Sequence, residues 1–261
     1  MNDRATRTET TPKLYADLAS WFHLLTSPED YAEEAAFYAR SLRSAAQLPL
    51  QTVLELGSGG GNNASHMKSL FRMTLVDRST SMLAVSQGLN PECEHLTGDM
   101  RTVRLGRLFD GVFVHDAIDY MTSLDDLQLA ATTAFVHCRP GGAALFAPDA
   151  VRETFRPSTS HGGHDGRDRS LRYVEWTWDP DPDDHWYVTD FAYLLKEGSG
   201  PVRVESDRHT LGLFARSEWL EVLSGVGFSA WSVPFAHSEI PEGPLDVFIG
   251  VRPMKVEPAR L

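Results

Sequence analysis

Glu55, Gly57, Gly59 and Gly61 occupy alternate positions in Thr52-Val53-Leu54-Glu55-Leu56-Gly57-Ser58-Gly59-Gly60-Gly61-Asn62, and that spacing limits the chemistry the chain can host. The first half reads as a buried strand and the second as a glycine turn opening a helix. Such glycines let backbone pass close to a ligand, and the unpaired N–H groups of the following helix start favour a negatively charged group. A second apolar run, Met73-Thr74-Leu75-Val76, ends in Asp77, about 20 residues downstream, where a strand-end carboxylate can accept from both hydroxyls of a ribose. This is a nucleotide-binding corner. The dinucleotide fingerprint would need a third glycine at position 62, where the chain has Asn62. An NAD(P)-dependent oxidoreductase is therefore the alternative reading.

The ordered set E-x-G-x-G-x-G at 55–61, then Asp77, Gly98-Asp99-Met100, Phe109-Asp110 and Pro140-Gly141-Gly142 resembles the motifs of the class I S-adenosylmethionine-dependent methyltransferases. Order and spacing together carry the resemblance, which spans residues 50 to 147. It implies S-adenosyl-L-methionine as donor, leaving as S-adenosyl-L-homocysteine, and it implies roles. Asp77 would accept from the ribose hydroxyls, Asp99 from the adenine amino group, and the Met100 backbone N–H would meet the adenine edge. Glu55 would reach the methionine amine through water, with Gly57, Gly59 and Gly61 giving close approach to the methionine part. Tyr15 resembles the N-terminal tyrosine of small-molecule methyltransferases that closes over the donor. His115 and Tyr120, in His115-Asp116-Ala117-Ile118-Asp119-Tyr120-Met121, stand where such enzymes place residues under the methyl group. Either could orient or deprotonate an acceptor, and His115 could also touch the cofactor. Core packing is the competing account for Tyr15 and His115.

A sulfonium donor is already reactive, so positioning is most of the catalysis, and the elements that position these residues matter as much as the residues. Proline starts and helical periodicity predict helices over 12–25 and 28–46, the second with Tyr31, Ala35, Tyr38 and Leu42 in one apolar stripe. From residue 51 strands alternate with helices, which means a parallel sheet covered on both faces. Between Asp149 and Leu213 the period changes to that of three antiparallel strands, after which the α/β pattern resumes. The expected fold is therefore α/β: a Rossmann-like, doubly wound, mostly parallel seven-stranded sheet with an inserted antiparallel β cap. The chain reads as a single domain: N-terminal helices over 1–50, core over 51–148 and 211–252, cap over 149–210. An insertion there lies beside the carboxyl edge of the sheet, where α/β proteins bind ligands.

On the cap, Trp176 and Trp178 share one strand face and form a candidate substrate-binding wall, with packing as the competing account. The glycine- and histidine-rich loop between Pro157 and Ser170 reads as a lid, and Arg152, Arg156, Arg167 and Arg169 as anion contacts. No metal is expected. The cap and the closing Phe248-Ile249-Gly250-Val251-Arg252 look similar to sugar-amine N-methyltransferases of natural-product pathways. Those enzymes commonly carry a histidine near position 120, where this chain has Tyr120, so neither the sugar nor N-methylation follows and O-methylation stays open.

Of 261 residues 42% are hydrophobic, enough for a large core, and the net charge of −12 argues against a nucleic-acid partner. A small-molecule acceptor is expected, with room for a homodimer through the cap. No apolar run reaches the length of a membrane span, the polar stretch over residues 1–13 reads as a frayed tail, and Cys93 and Cys138 fall in unrelated elements. A cytoplasmic enzyme fits these features. A protein that binds the donor without catalysis would keep the glycine corner and lose acceptor access.

Overall fold

The computed structural model describes residues 11–238 and 244–254. In chain order its regular elements begin with α1 (Phe22–Leu25), α2 (Ala32–Ala45), β1 (Thr52–Leu56), α3 (Asn62–Met67), β2 (Arg72–Asp77), α4 (Thr80–Leu89), β3 (Glu94–Thr97), β4 (Phe109–His115), α5 (Leu124–His137) and β5 (Cys138–Ala147). They continue with β6 (Ser158–Gly162), β7 (Arg169–Trp178), β8 (Trp186–Glu197), β9 (Arg203–Gly212), α6 (Arg216–Gly225), β10 (Ser229–Phe235) and β11 (Leu245–Val251).

Seven strands pair in the order β10-β11-β5-β4-β1-β2-β3, with β11 antiparallel to both its neighbours and the other pairings parallel. Because side chains alternate along a strand, each central strand feeds two cores. Val53, Phe113, Leu145 and Ile249 pack with Ala35, Tyr38 and Leu42 of α2. Leu54, Val112, Phe146 and Phe248 pack on the opposite face with α5 and with Trp219 of α6. The apolar stripe read from α2 is therefore a core face.

The excursion between β5 and α6 is a second, antiparallel sheet in the order β6-β7-β8-β9. It has four strands rather than the three expected. β6 was missed because Ser158-Thr159-Ser160-His161-Gly162 is a polar, exposed edge strand without apolar alternation. The segment expected as a lid is tied down: His161 pairs with Val174 within the sheet, the His164 N–H donates to the Leu24 carbonyl (2.9 Å), and Leu171 N–H donates back to the His164 carbonyl (3.1 Å).

The helix predicted over 12–25 is instead two 3-10 turns, Lys13–Tyr15 and Ala19–Trp21, followed by α1. Its helical spacing is real in burial but not in backbone. Leu14, Leu18 and Trp21 are all buried, and Leu18 and Trp21 dock on Leu171, Tyr193 and Leu195 of the cap, so tertiary contacts override local propensity. The predicted tail falls mostly outside the described residues. Among the described residues no helix is long and apolar enough to cross a membrane.

Candidate active site

A cavity of about 1420 Å³ opens over the carboxyl ends of β1, β2 and β4, roofed by the cap and by the turns that precede α2. Its floor is the glycine corner. Gly57, Gly59 and Gly61 hold φ of 76°, 51° and 81°, a region where side chains other than glycine are strained. A Cβ on Gly57 would stand 2.3 Å from the Ala117 Cβ, and one on Gly61 2.3 Å from Asn90 and Ser86 atoms, so those two positions are fixed by protein packing. At Gly59 the nearest neighbour would be 3.8 Å away. That glycine leaves open space on the cavity side, where a ligand can come close to backbone.

Glu55 is 3% exposed, faces this cavity, and its Oε2 has no hydrogen-bond partner. Burial pushes its carboxyl up to about 8, against the smaller downward pull of His115. Ser58 Oγ, Asn62 Oδ1 and Asn63 Oδ1 are likewise buried cavity-lining atoms without partners. A buried polar atom left unpaired is costly, and a ligand carrying both an ammonium and a carboxylate matches this mixture of acceptors, hydroxyl and amides. The amino-acid end of S-adenosylmethionine is such a group. The residues present fit it.

Asp77 ends β2 beside the same corner. Its Oδ2 accepts from Gly59 N (2.8 Å) and its Oδ1 from Ser79 N (2.7 Å). Burial raises its carboxyl above the ordinary range, although these backbone bonds pull the other way. The helix cap itself is Ser79, whose Oγ accepts from Met82 N (3.1 Å). Asp99 follows β3 and is gripped by Arg101, from N (2.8 Å) and from Nη2 (2.7 Å). Burial alone would raise the Asp99 carboxyl; the Arg101 bonds and charge win and hold it below its usual range. Met100 beside it is 8% exposed and lines the cavity.

His115 ends β4 and meets a cluster that the sequence did not announce. Its Nε2 lies 2.8 Å from Asp116 Oδ1 and 3.5 Å from Glu34 Oε1 of α2, and its Nδ1 3.1 Å from Asn63 Nδ2. Tyr31 and Tyr38 pack against its ring, and Phe113 stacks on it. Burial opposes the charged imidazole, yet Asp116 and Glu34 outweigh it and push the group up to about 9. That direction favours the charged imidazole, held between Asp116 and Glu34. Asp149, at the end of β5, faces the same space; enclosure by protein and the nearby Asp116 charge raise its carboxyl well above the usual range. Asp149 and Asp116 hydrogen-bond to each other through their side chains.

Tyr120 follows on the 3-10 turn Asp116–Tyr120. Its Oη lies 3.0 Å from Tyr15 Oη and 2.8 Å from Nδ1 of His209. His209 comes from β9 of the cap, is 4% exposed, and its Nε2 lies 3.3 Å from Asp207 Oδ2. Tyr15, Tyr120 and His209 all line the cavity. Sequence reasoning missed His209, Glu34 and Asp149. Strand alternation would have put His209 on an inward face, but nothing in the sequence tells which residue it meets there.

The tryptophans lie elsewhere. Trp176 and Trp178 stack on each other, 5.6 Å between ring centroids, but sit on the outer face of the cap, and Trp176 is 53% exposed. Alternation is the reason: the inward positions of β7 are Leu171, Tyr173, Glu175 and Thr177, so the even-numbered residues point away from the cavity. The expected aromatic wall is instead built from Tyr173, Tyr187 and Phe191, with Phe155 beside them. Three of the four arginines are also occupied, Arg156 by the Phe155 carbonyl. Arg152 donates to the carbonyls of Pro182 (2.6 Å) and Leu213 (3.2 Å), and Arg169 lies over the Trp21 ring (4.7 Å).

Residues 53–142 match a family described as a methyltransferase domain. A Streptomyces venezuelae dTDP-3-amino-3,4,6-trideoxy-alpha-D-glucopyranose N,N-dimethyltransferase is 29% identical over 223 residues, 82% of this chain and 89% of the relative. A dTDP-3-amino-3,6-dideoxy-alpha-D-glucopyranose N,N-dimethyltransferase of Streptomyces fradiae is 23% identical, covering 79% of this chain and 80% of that one. The fold matches the crystal structure of Streptomyces venezuelae DesVI with a TM-score of 0.78 at 24% identity, over 94% of this chain and 99% of that chain. With the glycine corner, the unpaired Glu55 and the seven-stranded sheet in place, the chain carries a class I S-adenosylmethionine-dependent methyltransferase domain over residues 53–142.

Proposed function

We propose that the acceptor atom is an amine nitrogen on a sugar-like small molecule, and that this chain N-methylates it. The observation that carries this reading is the continuity of one cavity from the donor corner at Glu55 and Gly59 to a carboxylate-rich chamber at Asp116, Asp149 and Glu175 under the cap. Carboxyl groups there can balance an acceptor that arrives as an alkylammonium, a charge that a hydroxyl acceptor does not carry. The amino-sugar relatives support the same choice.

Bound S-adenosylmethionine supplies an electrophilic methyl group on a sulfonium. In this reading Asp77 accepts from the ribose hydroxyls, Asp99 and the Met100 backbone hold the adenine, and Glu55 faces the ammonium of the methionine end. Met100 also packs under Gly57, which fixes the corner against the adenine side. Tyr15 closes the cavity from the N-terminal turn. The wall of Tyr173, Tyr187 and Phe191 excludes water from the acceptor and presents aromatic faces to it.

The outer face of the cap, with Val174, Trp176, Leu194 and Val204 exposed, suits a second copy of this chain. Residues 1–261 act as one unit, with the cap as its acceptor-side lobe. Two free cysteines suit a reducing cytoplasm, and the charge of −12 suits neither nucleic acid nor an anionic membrane surface.

Mass spectrometry of turnover mixtures tests the acceptor atom. Incubated with S-adenosylmethionine and a dTDP-linked 3-aminodeoxyhexose, the enzyme should add one or two methyl groups, and the 3-hydroxy counterpart should stay unchanged. Methylation of the hydroxy compound alone would transfer the assignment to oxygen.

A further inference from the structure

We propose that Tyr120, backed by His209 and Asp207 of the cap, removes the proton that the acceptor amine must lose before its nitrogen can attack. The proposal rests on the N-methylation reading. An alkylammonium has no free lone pair, so an amine that enters charged needs a proton acceptor inside the cavity. The groups around His115 are engaged with one another: Asp116 meets His115 Nε2 at 2.8 Å and also hydrogen-bonds to Asp149.

A chain of three groups spans core and cap, with Tyr120 and His209 at the cavity. Asp207, with a side chain 7% exposed, lies 3.3 Å from His209 Nε2 and also accepts from Leu14 N (3.0 Å). An ionised Asp207 places the neutral imidazole proton on Nε2, which leaves the Nδ1 lone pair facing the Tyr120 hydroxyl at 2.8 Å. Tyr120 gives its one proton to that nitrogen when the Tyr15 hydroxyl (3.0 Å) donates in turn to the Tyr120 oxygen, which leaves one Tyr120 lone pair for the acceptor. Phe191 packs on the His209 ring at 4.9 Å, and Tyr15 and Tyr120 flank it, so the imidazole has one orientation. The titratable groups facing His209 are Asp207 on its own strand, Glu175 on β7, and Tyr15 and Tyr120 on the N-terminal and 3-10 turns.

In the step itself one N–H bond of the ammonium breaks and an O–H bond forms at Tyr120, while the proton Tyr120 held passes to Nδ1 of His209. No electrons change hands. The imidazolium is balanced by Asp207. Enclosure keeps the Tyr120 hydroxyl well above its ordinary pKa, so the tyrosine passes a proton on and does not rest as phenolate. Tyr120 touches the acceptor; His209 and Asp207 act through it as positioning residues. The cap thus contributes to the reaction as well as covering the cavity.

Two measurements decide it. With an amine that the parent enzyme methylates, Tyr120→Phe and His209→Gln should each lower kcat on the order of 10²- to 10⁴-fold, with S-adenosylhomocysteine affinity unchanged. The pH–rate profile of His209→Gln should differ in shape from that of the parent. Independently of any acceptor, ¹⁵N NMR of histidine-labelled protein bound to S-adenosylhomocysteine should show the His209 proton on Nε2 and an Nδ1 shift that moves in Tyr120→Phe. A proton on Nδ1, or a Tyr120→Phe enzyme with the parent's kcat and pH profile, would overturn the relay. Failure of the underlying reading looks different: no amine would be turned over by the parent enzyme while donor binding persists, and both proposals would fall together.

Discussion

Glu55 is the residue whose surroundings differ most from what its position in a motif conveys. A carboxyl pushed up to about 8 holds its proton more tightly folded than unfolded, and His115, pushed up to about 9, does the same. Their contributions to stability are fully present below the unfolded values and are lost as pH rises through the folded ones. The unliganded enzyme should therefore melt at progressively lower temperature as pH climbs from about 5 to about 9. Glu55→Gln should flatten part of that slope, and a melting temperature that does not depend on pH would refute the burial argument. Asp77 supports a second expectation. Asp77→Ala removes charge-assisted acceptors from a ribose and also releases Gly59 N and Ser79 N, so S-adenosylhomocysteine affinity should fall by about 1.5–3 kcal/mol. Asp99→Ala should cost less, because the Met100 backbone contact remains. Calorimetric titration orders the two, and a larger loss in Asp99→Ala would reverse the ribose and adenine assignments.

At the scale of elements, legibility followed the strength of local pattern. The strand-turn-helix corner at 52–62, the helix from Leu124 to His137 and the strand β11 were readable because apolar runs and the turn or capping residues beside them agree there. The N-terminal turns were not, since their backbone is set by docking on Leu171, Tyr193 and Leu195, residues more than 140 positions away in sequence. The edge strand β6 had no apolar alternation to read. Which face of β7 meets the cavity was also invisible: alternation separates Glu175 and Thr177 from Trp176 and Trp178, but register alone decides which pair is inward. In the site, the donor corner was legible because its motif is contiguous, whereas the His115 and His209 clusters join residues from α2, β4, β5 and β9. Trp176→Ala should accordingly leave the acceptor KM unchanged and weaken self-association in sedimentation. A raised acceptor KM in a variant that keeps its parental association state would return Trp176 to the cavity.

At the scale of the whole molecule, two sheets share one cavity. The parallel sheet presents Glu55, Asp77 and the glycine turn; the cap presents Glu175, Phe191 and His209 from the other side. That division puts the donor groups on one sheet and the acceptor-side groups on the other, in keeping with function residing in sites grafted on folds. It also makes donor binding separable from acceptor binding. The most direct test of the account is therefore isothermal titration of the full-length protein with S-adenosylhomocysteine and, in parallel, with NAD and NADP. Saturable binding of S-adenosylhomocysteine alone, weakened in Asp77→Ala and accompanied by a rise in melting temperature through linkage, is the result expected. Tight binding of a nicotinamide dinucleotide with no heat from S-adenosylhomocysteine would contradict it.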